Sequence, residues 1–249
     1  MPAKRLVKRI ANSFGLDIVP HQRVPTDLTP ADRELVEFVR PYTMTSPDRI
    51  VGLANATRWL VNQGIHGDIV ECGVWRGGSM MVVARVLMEL GAADRDLYLF
   101  DTFTGMTAPT SEDIDHRGRK AVTKFAERAD GNQTSDWCRA GIELVRSNLA
   151  RTGYPSDRLR FVAGMVEETV PAQAPAAVSL LRLDTDWYVS TRHELVHLWP
   201  RLVSGGVCII DDYGHWRGSR QAVDEFLAEN DLNVLMHRLD YSGRLIVKP

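Results

Sequence analysis

Cysteine is scarce in this sequence, with only Cys72, Cys138 and Cys208 among 249 residues and no C-x-x-C pair. That leaves no motif for redox chemistry or thiolate metal binding, and two of the three sit in apolar runs, where buried thiols of a reducing compartment belong. An excess of either charge is also missing. Thirty Lys plus Arg against 32 Asp plus Glu give a net charge of −2, so no overall field gathers nucleic acid or an anionic membrane. No apolar run reaches transmembrane length and no internal repeat is present. The first twenty residues lack the unbroken apolar stretch and cleavage site of a secretory signal, which predicts a cytoplasmic protein. Lys4, Arg5, Lys8 and Arg9 alternate with Leu6, Val7, Ile10 and Phe14. This pattern fits a helix packed on its own protein better than a peripheral membrane contact.

What is present is an average globular composition, 44% hydrophobic and 25% charged, enough for one large core. Ser46-Pro47 reads as a helix cap followed by a first-turn proline, and Gly64 as the stop. Strands are expected over 68–72, 97–100, 159–162, 178–183 and 207–210, with helical patterns between some of them. The alternation predicts an α/β fold with a doubly wound, mainly parallel sheet. Segments 232–239 and 244–248, separated by Asp240-Tyr241-Ser242-Gly243, predict a closing antiparallel hairpin. Residues 1–42 are expected to form an N-terminal extension, partly helical. Residues 104–137 are polar, poorly periodic and too long for an ordinary loop, so they read as a lid with a helix near 120–128.

The segment Glu71-Cys72-Gly73-Val74-Trp75-Arg76-Gly77-Gly78-Ser79 falls where the first strand hands over to its helix, the place where open α/β sheets bind nucleotides. It is neither G-x-G-x-x-G nor a phosphate loop, which weakens a nicotinamide-dependent sugar oxidoreductase. Asp101, ending the second strand, is placed to accept hydrogen bonds from the hydroxyls of an adenosine ribose. Glu71 is placed to hold a methionine part attached to such an adenosine, through water or backbone amides.

Asp184-Thr185-Asp186 follows one strand and Asp211-Asp212 another, so four carboxylates converge on one crevice. Such a group is costly unless a cation neutralises it, and oxygen-only ligands favour a hard ion such as Mg²⁺. Asp184, Asp211 and Asp212 are the expected ligands and Asp186 the expected proton acceptor. His215 is a candidate second base or substrate contact, whereas His193 and His197 belong to the polar face of a packing helix. With four carboxylates converging on one crevice, a non-catalytic glycan-binding subunit of the same fold is the weaker alternative.

The motifs GDIVECGVWRGGSM, LYLFDTFTGM, LRLDTDWYVST and SGGVCIIDDYGHWRG resemble the macrocin O-methyltransferase family from about Thr43 to the C-terminus. The resemblance implies a seven-stranded class I methyltransferase sheet over 43–249 and S-adenosylmethionine as donor. It also implies Mg²⁺ on Asp184, Asp211 and Asp212, a general base at Asp186, and a sugar acceptor. Donor contacts are implied at Thr43, Met44, Glu71, Gly73, Val74, Trp75, Arg76, Ser79, Asp101, Thr102, Gly164 and Met165, and a homo-oligomer, most simply a dimer, is the implied assembly. The Gly214-His215-Trp216 run departs from the antibiotic-tailoring members and suits a polysaccharide or glycolipid acceptor, of which O-methylated mycobacterial polysaccharides are one example.

Overall fold

A computed structural model describes residues 24–129 and 135–249; the basic Lys4 to Phe14 pattern lies outside them. Thr29 caps helix α1 (Pro30–Val39) through its side-chain oxygen. Ser46 does the same for α2 (Pro47–Asn62), accepting from the Arg49 N–H at 3.2 Å, with Pro47 in the first turn, where its missing donor costs nothing. Beyond α2, Gly64 turns the chain with φ 63°.

From there strands and helices alternate: β1 (Asp68–Cys72), α3 (Gly78–Glu89), β2 (Leu97–Asp101), α4 (Ala121–Ala126), α5 (Ile142–Ala150), β3 (Leu159–Ala163), α6 (Val166–Thr169), β4 (Val178–Leu183), α7 (Tyr188–Leu198), β5 (Leu202–Ile210), α8 (Arg217–Glu229), β6 (Met236–Arg238) and β7 (Arg244–Val247). The seven strands lie in the order β3-β2-β1-β4-β5-β7-β6. All pairings are parallel except those of β7, which runs antiparallel to β5 and β6. This is the doubly wound sheet with a closing hairpin that the periodicity predicts.

Two boundaries differ from the sequence reading. The fifth strand begins at Leu202 rather than Val207, continuing through Gly205, whose φ of 76° breaks the apolar run without ending the strand. The sixth is confined to Met236–Arg238, because the Leu232 N–H bonds back to the Leu227 carbonyl and finishes α8 instead of entering the ladder.

Period-two alternation sorts the strand residues between two cores. Ile69, Leu97, Leu99, Leu180, Val207 and Ile209 pack under α1, α2, α3 and α5. Val70, Cys72, Phe100, Leu181, Leu183, Cys208 and Ile210 pack under α6, α7 and α8. Glu71 and Arg182 face each other in register across β1 and β4, both nearly without solvent exposure, and therefore meet inside the molecule. Between β1 and β4 the strand order reverses, so their carboxyl ends open the crevice that such sheets use for ligands.

Candidate active site

The ladder runs one residue past the strands, with the Asp184 N–H on Cys72 O at 2.8 Å and the Asp211 N–H on Leu183 O at 2.9 Å. These bonds fix both aspartates at the carboxyl edge. Ligand-type oxygens of Asp184, Asp211 and Asp212 lie within 4.8 Å of one another, the only such acidic or His/Cys group among the described residues. Asp212 Oδ2 is buried and has no hydrogen-bond partner.

Two arginines that the sequence reading did not single out hold part of this charge. Arg182 donates to Glu71 Oε1 at 2.7 Å, Asp184 Oδ2 at 2.7 Å and Asp211 Oδ1 at 2.6 Å. Arg49 pairs with Asp211 Oδ2 and, at 3.0 Å, with Asp240. Burial raises the carboxyl groups of Asp184 and Asp212, helped by the neighbouring acids. At Asp211 burial is outweighed by Arg182 and Arg49, so this group stays below the usual carboxylate range. A charged residue inside the apolar run Leu180-Leu181-Arg182-Leu183 was the available signal, since a buried guanidinium requires carboxylate partners.

Asp186 stands beside this group in a left-handed conformation, φ 70°, which a short polar side chain tolerates. Trp216 Nε1 donates to its Oδ1 at 2.6 Å. Burial first and the Asp184 charge second push its carboxyl to about 7, against the Trp216 hydrogen bond. His215 moves the other way, to about 4, because it is half-buried and lies near His116. Its Nδ1 is 2.9 Å from the Tyr241 hydroxyl. Tyr241 and Ser242 come from the closing hairpin turn, which thereby joins the site wall.

A cavity of about 290 Å³ brings together Thr43, Met44, Gly73, Val74, Trp75, Ser79, Asp101, the four aspartates, His215 and Trp216. A smaller chamber of about 60 Å³ shares Gly73, Asp101 and Asp184 with it and adds Thr102, Gly164 and Met165. Arg76 and Glu71 are on neither wall. Arg76 lies over the Trp75 ring, and Glu71 supports Arg182 from below. Asp101 fastens the glycine turn to β2: Oδ2 accepts the N–H groups of Val74 and Trp75 at 2.7 and 3.0 Å, and Oδ1 that of Phe103 at 2.7 Å.

Residues 104–137 meet the site walls at several points among the described residues, His116 against His215 and Asp115 against Trp216 included, and two further contacts anchor the segment. Asp113, fully buried, accepts the Tyr188 N–H at 2.9 Å and so caps α7 from a distance. Trp137 packs with Trp187 and Trp216, with ring centroids 5.1 to 6.2 Å apart, and Lys124 lies 3.6 Å over the Trp137 ring. His193 bonds the Val170 carbonyl at 2.9 Å, a packing contact.

Gly73 has φ 84°, and a Cβ there would stand 2.1 Å from the Asp184 carbonyl oxygen. Gly73→Ala is expected to cost on the order of 2–4 kcal/mol, from left-handed strain plus a clash with backbone. Denaturant titration checks this; a midpoint equal to wild type would contradict the close approach of β1 and β4 that the turn requires.

The family model Macrocin-O-methyltransferase (TylF) matches residues 24–247. Among curated relatives, a tetracenomycin-C rhamnosyl 4'-O-methyltransferase of Streptomyces olivaceus is 31% identical over 242 residues, covering 96% of this chain and 89% of its own. Mycinamicin III 3''-O-methyltransferase of Micromonospora griseorubida is 29% identical over 202 residues, covering 81% and 76%. The structure of the O-methyltransferase NovP superposes with a TM-score of 0.71 at 26% identity, covering 83% of this chain and 82% of that one. With the sheet order, the converging aspartates and the glycine turn already accounted for, these matches settle the reaction class: the chain is an O-methyltransferase and belongs to the macrocin O-methyltransferase family.

Proposed function

We propose that this enzyme transfers the methyl group of S-adenosylmethionine to a sugar hydroxyl, with Mg²⁺ on Asp184, Asp211 and Asp212 and with Asp186 taking the hydroxyl proton. The observation that carries the reading is the convergence of three carboxylates beside a fourth in the cavity walled by the glycine turn. The residues fit a hard divalent ion. All donors are oxygens, and Asp212 Oδ2 is buried without a partner even though Arg182 and Arg49 serve Asp211. The turn fits a donor brought close to backbone, with Asp101 on the wall of both chambers.

S-adenosylmethionine, when bound, supplies an electrophilic methyl on a sulfonium, and Mg²⁺ supplies electrostatic stabilisation of a forming alkoxide. The chain's own groups do the rest. Asp186, oriented by Trp216, accepts the proton as the O–CH₃ bond forms and the S–CH₃ bond breaks. The backbone of residues 73–79 and the end of β2 align the donor, and alignment in near-attack geometry is worth about 7–11 kcal/mol in favourable cases. Trp137 and Trp216 on the cavity wall keep water from the reacting atoms. Support for a sugar comes from the Streptomyces olivaceus relative, which is named for 4'-O-methylation of a rhamnosyl-tetracenomycin. A glycan acceptor is compatible with the same walls.

Calorimetric titration with S-adenosylmethionine and with NAD, followed by methyl transfer to a hexoside panel with Mg²⁺ or EDTA, tests the reading. Donor binding with EDTA-sensitive transfer is expected. Transfer that survives EDTA removes the metal, and NAD binding without S-adenosylmethionine binding removes the donor.

A further inference from the structure

We propose that Glu194 is a positioning residue for the Asp184-Thr185-Asp186 loop, bracing Thr185 from within the core so that the flanking aspartates keep their places. The inference rests on the metal-assisted reading above. Glu194 lies on α7 with no solvent exposure. Its carboxyl stands beside the Thr185 hydroxyl and the Cys72 thiol, near Cys208. No pair there meets strict hydrogen-bond geometry: both Glu194 oxygens and Thr185 Oγ1 are buried without a partner. Burial, with the Glu167 and Asp184 charges adding to it, holds the acid well above the usual carboxylate range.

Nothing in the packing of this core calls for a carboxyl. The same helix gives Leu195 and Leu198 to the apolar core that holds Leu181 and Leu183, and an unbranched thioether in place of Glu194 removes an unsatisfied polar group. A group that costs stability at the foot of a reactive loop is the pattern expected of a functional site. The loop needs such a brace. Asp186 is left-handed, and the Thr185 carbonyl is held by the Trp187 N–H at 2.8 Å and the Ser190 hydroxyl at 3.4 Å, contacts that restrain the backbone and leave the Thr185 side chain to Glu194.

Glu194→Met, Glu194→Gln and Thr185→Val, each in the full chain, separate positioning from filling. Melting temperature, Mg²⁺ binding by calorimetry without acceptor, kcat and donor KM are the readouts. Glu194→Met is expected to melt about 2–4 °C higher. Its Mg²⁺ Kd should rise about 10-fold or more, as for loss of groups that orient metal ligands. Its kcat should fall by a similar factor with donor KM within about twofold, while Glu194→Gln, which keeps the hydrogen-bonding capacity, stays within about threefold of wild type. Thr185→Val reproduces the loss, and the double variant loses no more than either single one. A Glu194→Met protein that binds Mg²⁺ and turns over like wild type, or losses that multiply in the double variant, overturns the positioning role alone. Wild-type protein that binds no Mg²⁺ overturns the metal reading and this inference with it.

Discussion

Asp212→Ala protein is expected to bind S-adenosylmethionine as wild type does and to transfer methyl groups about 10²–10³-fold more slowly at saturating Mg²⁺, the usual cost of losing stabilisation of developing oxyanion charge. Asp212 is the cleanest of the three proposed ligands to remove. Its Oδ2 has no hydrogen-bond partner, and its backbone carbonyl, which accepts the His215 and Trp216 N–H groups at 2.9 Å each, survives truncation. Asp211 and Asp184 give an ambiguous experiment. Either truncation leaves Arg182 short of a buried partner, and breaking such a pair costs about 3–5 kcal/mol on its own. The chamber proposed for the donor is walled by Gly73, Asp101, Gly164 and Met165, and Asp212 is not on its wall. Calorimetry with S-adenosylmethionine and initial rates across a Mg²⁺ series check the prediction. An Asp212→Ala enzyme still stimulated by Mg²⁺ to wild-type rates sinks the ligand assignment.

The sequence identifies the acidic side of the site because its residues follow strands, and strand ends of a parallel sheet share one edge. Asp184 and Asp211, 27 positions apart, need only the β4–β5 register to meet. The cationic side is harder to see. Arg182 is noticed only as an interruption of an apolar strand, and its three partners come from β1 and from the ends of β4 and β5, a combination that only the sheet order specifies. Arg49 joins Asp240 across 191 residues, and nothing in either local pattern announces the other. Segment 104–137 is the reverse case. Its polar composition reads as a lid and gives no hint that Asp113 is fully buried because it caps a helix that begins 75 residues later. Local propensity carries the elements, while long-range pairing decides which polar residues are structural.

Replacing Asp186 by Asn isolates proton removal from architecture. Asn has the same size, and its side-chain oxygen still accepts the Trp216 indole N–H, so the loop and the three neighbouring aspartates keep their positions. What disappears is the capacity to take a proton, and kcat is expected to fall by about 10²–10⁴-fold, the range for a positioned general base. Mg²⁺ and donor affinities should stay within about threefold of wild type, which separates this variant from Asp212→Ala. His215 is the competing base, and its position argues against it: Nδ1 is engaged with the Tyr241 hydroxyl, and the ring packs edge-on with those of His116 and Trp216. His215→Asn is accordingly expected to alter acceptor KM more than kcat, through the cavity wall it shares with Tyr241. If His215→Asn instead gives the larger fall in kcat and Asp186→Asn remains active, the proton passes to the imidazole, and the indole–carboxylate contact of Trp216 and Asp186 serves only to seal the cavity against water.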